Sequence, residues 1–85
     1  MISFDFTVTD KDGLHARPAG QLVKEAQKLQ SRITINKGGK SAELRKLFAI
    51  MALGVRQGET ITIEVEGEDE ESAAAFVKEF LKNNF

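Results

Sequence analysis

Apolar side chains recur along this chain at two different spacings, and the switches between them outline its elements. Ile2, Phe4, Phe6 and Val8 alternate with Ser3, Asp5, Thr7 and Thr9. A period of two predicts a strand with one buried face. Asp10 to Gly13 is turn chemistry. From Ala16 the spacing changes to three and four. Ala16, Ala19, Leu22, Val23, Ala26 and Leu29 form one helical stripe that ends near Lys28 or Leu29. Pro18 falls in the first turn, where its missing N–H removes no intrahelical bond. Period two returns at Ile33 and Ile35, and Asn36-Lys37-Gly38-Gly39 predicts a hairpin into a short strand around residues 40–43. Residues 46–53 read as a short helix stopped by Gly54. Ile61, Ile63 and Val65 mark another strand, broken by Gly67. Glu68 to Glu71 place anions where a helix N-terminus favours them, and Ala73, Phe76, Val77, Phe80 and Leu81 supply that helix's buried stripe.

The order β-α-β-β-α-β-α, with strands apolar on one face only, predicts an α+β fold. It is an open-faced β-sandwich: a four-stranded antiparallel sheet with three helices on one side. A length of 85 residues fits a single domain spanning positions 1–85. With 41% hydrophobic and 29% charged residues the composition is that of a folded chain, not a disordered one. No apolar run approaches the ~20 residues of a membrane span, and no signal segment opens the chain. The expectation is a cytoplasmic protein with no direct membrane insertion.

Composition also narrows the chemistry. There is no cysteine and one histidine, His15. That excludes disulfides, Cys-ligated zinc, a thiol nucleophile and a His-rich metal site. No metal and no cofactor is expected. The formal net charge of −1 conceals a segregation: residues 11–58 carry ten basic and three acidic side chains, residues 59–85 two basic and eight acidic. A basic face suited to an acidic or phosphorylated partner is one reading; charges clustered on solvated faces is the other.

Gly13-Leu14-His15-Ala16-Arg17-Pro18-Ala19 is the most informative stretch. The histidine stands where a glycine-containing loop enters a helix. Main-chain N–H groups of the first turn lack intrahelical acceptors and stabilise a nearby anion. Arg17 adds a guanidinium that grips phosphate or carboxylate oxygens. Imidazole is a nucleophile at neutral pH. These parts suit a histidine that takes up a phosphoryl group; taken singly, they also suit an N-terminal capping residue beside a solvated arginine.

The stretch from Gly13 to Ala19 resembles the active-site signature of the histidine-containing phosphocarrier HPr family, part of the bacterial phosphoenolpyruvate-dependent sugar phosphotransferase system. Gly39-Lys40-Ser41-Ala42, Leu47-Phe48, Leu53-Gly54, Gln57-Gly58 and Glu66-Gly67-Glu68-Asp69-Glu70 are similar at matching spacing, so the resemblance covers essentially the whole chain. It implies a carrier, not a turnover enzyme, with an HPr-like βαββαβα fold. Phospho-enzyme I would phosphorylate His15 on Nδ1, and His15 would pass the group to sugar-specific enzyme IIA domains. His15 and Arg17 would be the catalytic residues, with the main chain of Ala16 and Arg17 holding phosphoryl oxygens. The partner-binding residues would be Gly20, Gln21, Lys24, Gln27, Leu47, Phe48 and Met51. A monomer without nucleic-acid binding is expected. A related carrier of a nitrogen-related phosphotransfer branch is the alternative.

Periodicity adds to this. In the short helix Ile50 and Leu53 share one side, and Phe48 and Met51 point largely away, either as an exposed pair rimmed by Arg45 and Lys46 or as a second core layer. Gly20 inside the first helix fits close approach by a partner as well as simple tolerance. Two other patterns fail on inspection. Gly39-Lys40-Ser41 lacks the glycine a phosphate-binding P-loop requires five residues earlier, where Thr34 stands. Phe4 and Phe6 share the apolar face of Ile2 and Val8, so they are not a base-stacking platform. One departure from the family matters: many HPr proteins carry a regulatory serine directly before the short helix, and here that position is Lys46, with Ser41 in the neighbouring strand not a match.

Overall fold

Residues 1–85 are described by a computed structural model with seven elements: β1 (Ile2–Thr7), α1 (Ala16–Ala26), β2 (Arg32–Lys37), β3 (Lys40–Glu43), α2 (Leu47–Ala52), β4 (Thr60–Glu66) and α3 (Glu70–Asn84). The strands form one antiparallel sheet in the order β1-β4-β2-β3. The predicted open-faced sandwich is therefore present, with three helices.

The register explains why only one face is covered. Phe4 pairs with Ile63, Ile63 with Ile35 and Ile35 with Ala42, which makes a continuous apolar row under the helices. The next row out is Asp5, Thr62, Asn36 and Ser41. Side chains on this open face bond to one another: the Thr62 hydroxyl donates to Asp5 Oδ1 at 2.7 Å and the Asn36 amide to Glu64 Oε1, two residues along β4, at 2.6 Å. No aromatic residue lies on this open face. Leu22, Ile35, Leu44, Ile50, Ile61, Ile63, Val65, Val77 and Leu81 fill the core almost without solvent contact. Each such side chain contributes ~1.5–3 kcal/mol by leaving water.

The helices differ from their expected outlines in three places. α1 ends at Ala26, with Lys28 and Leu29 N–H donating to the Glu25 and Ala26 carbonyls in a tightened turn, so Leu29 packs from beyond the helix and is half-buried. Ala16, at the solvent end of the stripe, is exposed. Phe76 is 37% exposed instead of buried. At ~100° per residue it lies a full step around α3 from Val77, past the arc that Ala73, Val77 and Leu81 press onto the sheet. Its nearest aromatic partner is Phe80, whose ring centroid lies 6.0 Å away.

Candidate functional site

The loop before α1 is held open by close main-chain packing. Gly13 has φ +66°, and a Cβ there would come within 2.4 Å of the Val55 carbonyl oxygen, so no larger residue fits. Leu14 N–H donates to that same oxygen at 3.0 Å, and Leu14 is buried. Thr9 and Asp10 N–H both donate to the main-chain oxygen of Phe85 at 2.7 Å, which anchors the loop on the end of α3.

His15 occupies the N-cap position of α1 in extended backbone geometry, yet its side chain makes no capping bond. The capping role that the residues themselves allowed is thus not the one it plays. Ala19 N–H donates to the His15 carbonyl, Pro18 has no N–H, and the Ala16 and Arg17 N–H groups have no acceptor in the chain. Two amide donors with the positive end of an 11-residue helix behind them therefore face outward beside the imidazole. No acidic residue in the first turn offsets them.

The imidazole is 35% exposed. Phe85 packs against it edge-on, with ring centroids 5.8 Å apart. Nε2 is buried, has no hydrogen-bond partner and lies 3.5 Å from Asp10 Oδ2. Nδ1 is the ring nitrogen left accessible. Asp10, Asp12 and His15 bring their carboxylate and imidazole atoms within 4.8 Å of one another, the one place where a divalent cation would find several donors. The sequence contained Asp10 but gave it only a turn role; Phe85, seventy residues away in the chain, left no local signal.

The Arg17, Lys24 and Lys46 side chains are exposed and form no ion pair or hydrogen bond within the chain. α1 packs beside α2, so these cations and the apolar residues of α2 occupy adjoining helices. Gly20, Lys24 and Gln27 follow one stripe of α1 at four- and three-residue steps, with Gln21 a step around the helix. Ile50 and Leu53 are buried, as their spacing predicted, and Phe48 is 89% exposed. Leu47 and Met51 are half-buried and pack on the core, so the exposed apolar feature is chiefly one phenyl ring, not a pair. Arg45 does not rim it. Its guanidinium donates to the Leu29 and Ser31 carbonyls, beyond the far end of α1.

Comparison with known proteins places this geometry. The family model described as "PTS HPr component phosphorylation site" matches residues 2–83. The phosphocarrier protein HPr of Haemophilus influenzae is 47% identical over 73 residues, 86% of each chain. That of Mycoplasma capricolum is 42% identical over 81 residues, 95% of this chain and 91% of the other. Among solved structures, an HPr from Thermoanaerobacter tengcongensis superposes with a TM-score of 0.91 at 35% identity, covering 98% of this chain and 93% of its own.

Proposed function

The chain belongs to the HPr family of the phosphotransferase system, and from that premise we propose that His15 Nδ1 accepts a phosphoryl group from phospho-enzyme I and donates it to enzyme IIA domains during sugar uptake. HPr proteins are phosphocarriers and not stand-alone enzymes. The observation that carries the proposal is the pairing of an accessible Nδ1 with the unpartnered Ala16 and Arg17 amides at the same helix end.

The chemistry needs little more. The Nδ1 lone pair attacks phosphorus while the donor's N–P bond breaks and its electron pair returns to the donor imidazole. The amides and the Arg17 guanidinium hold the equatorial oxygens, so positioning and charge stabilisation supply the catalysis. Bonds of the same type break and form, so the group passes in either direction. Docking falls to Gly20, Gln21, Lys24, Gln27, Leu47, Phe48 and Met51, with the cations on α1 and α2 drawing in acidic partner surfaces. We place the carrier in the cytoplasm as a monomer; no helix is long and apolar enough to cross a membrane.

A reconstituted relay tests this reading. With enzyme I, phosphoenolpyruvate and a IIA domain, phosphate should reach the IIA domain only when the protein is present. A IIA domain that remains unlabelled with every component active would contradict it.

A further inference from the structure

We propose that Asp10 is a positioning residue that sets the tautomer of His15 and so directs phosphorylation to Nδ1; this rests on the reading of His15 as the phosphoryl acceptor. Asp10 is fixed on every side but one. Its N–H donates to the Phe85 main-chain oxygen at 2.7 Å, and its carbonyl accepts from Gly13 N–H at 2.9 Å. Its Oδ1 accepts from Asp12 N–H at 2.8 Å. Only Oδ2 is left, and it points at His15 Nε2 from 3.5 Å. A carboxylate accepts and does not donate, so this neighbour favours the ring form with hydrogen on Nε2. The lone pair then resides on Nδ1, the accessible nitrogen.

The resting contact is longer than a hydrogen bond, and a buried polar atom without a partner calls for an explanation. Phosphorylation supplies one. When the Nδ1 lone pair forms the new N–P bond, Nε2 keeps its proton and the ring becomes cationic. The carboxylate then faces a charged donor, and contacts of this kind tighten as the reacting state is reached. When the phosphoryl group leaves, its bonding electrons return to Nδ1 and the ring is neutral again.

Two substitutions separate this role from a plain turn role. Asp10→Asn keeps an oxygen for Asp12 N–H, which commits the amide nitrogen to the Oδ2 side. That nitrogen is a donor, so it favours a bare Nε2 and hydrogen on Nδ1. Asp10→Ala removes the turn acceptor but imposes no tautomer. The measurements are the ¹⁵N spectrum of the imidazole and the rate of labelling by phosphoramidate, a small donor that releases ammonia and needs no docking surface. Wild type should show hydrogen on Nε2 and phosphate on Nδ1. Asp10→Asn should shift the tautomer toward hydrogen on Nδ1 and label more slowly than Asp10→Ala. If Asp10→Asn matches wild type in tautomer, or labels at least as fast as Asp10→Ala, Asp10 serves only the turn and the proposal is overturned. The tautomer readout requires no phosphoryl transfer, so failure of the relay with enzyme I would leave this result standing or falling on its own.

Discussion

Gly20 of α1 faces Leu47 of α2 across the helix pair, and a Cβ placed on Gly20 would lie 4.0 Å from Leu47 Cδ2. That is ordinary contact distance, so the glycine is not required by the packing of this chain. Its helical backbone instead carries the usual cost of glycine, ~0.8–1 kcal/mol against alanine. Gly20→Ala should therefore raise stability by roughly that amount in a urea titration. If the residue is there for a partner's approach, the same variant should dock enzyme I more weakly, seen as a raised KM with little change in kcat.

The C-terminal end of α2 is held by a lysine from another element. Lys37 Nζ donates to the Leu53 and Gly54 carbonyls at 3.1 and 3.0 Å, and pairs with Glu59 Oε1 at 3.1 Å. A cation on the free carbonyls of a helix end contributes ~0.3–1 kcal/mol, and more where the site is partly buried. Lys37→Met should destabilise the protein by about 1 kcal/mol. Amide exchange in α2 should rise more than exchange in α1.

Lys46 is the N-cap of α2 and makes no side-chain capping bond. A cation also stands there against the positive end of the helix. Lys46→Ser should stabilise the chain by ~1 kcal/mol, because a serine hydroxyl accepts from an amide that is now unsatisfied. The same change creates a serine at the position where many family members are regulated. HPr kinase should leave the native chain unmodified and phosphorylate the variant; phosphate on Ser41 of the native chain would contradict this.

Asp69 contributes to the acid limb of stability. Its carboxylate accepts first from the Ser31 hydroxyl and then from the Gln30 and Ser31 N–H groups, which hold its pKa below the usual 3.8. Glu70, paired with the N-terminal ammonium and Gly67 N–H, and Glu59, bonded to Arg56 N–H and Lys37, are likewise lowered from 4.5. A folded-state pKa below the unfolded one means stabilisation that is complete at neutral pH. It is lost as pH falls through these values toward the folded ones. Thermal melts should show Tm flat near neutrality and dropping below about pH 4.5. Asp69→Asn should lower Tm at pH 7 and make that drop shallower.

The legible part of this protein was the part written in local spacing. The two periods located β1, β2, β4, α1 and α3, because each buries one face and so repeats its apolar residues at its own pitch, while β3 and α2 were placed by the glycine turn signals beside them. The histidine and its two amides were legible for the same reason, since a helix start is a local event. Three features were not. The exposure of Phe76 depends on where the buried arc of α3 stops, and this is set by the sheet beneath it. Arg45 reads as a surface cation, but carbonyls left open by the turn after α1 draw its guanidinium inward. Phe85 meets His15 through the fold alone, because strand β1 and helix α3 end side by side, and Asp10 is turned onto the ring by a local turn whose residues spell only turn chemistry.

The central claim is that one imidazole carries the phosphoryl group. The most direct measurement incubates wild type and His15→Ala with enzyme I and labelled phosphoenolpyruvate and follows acid-labile phosphate on the protein. Wild type should take up one phosphoryl group, lost in acid and retained in alkali, and His15→Ala should take up none. No incorporation into wild type, or equal labelling of the two, would contradict the account.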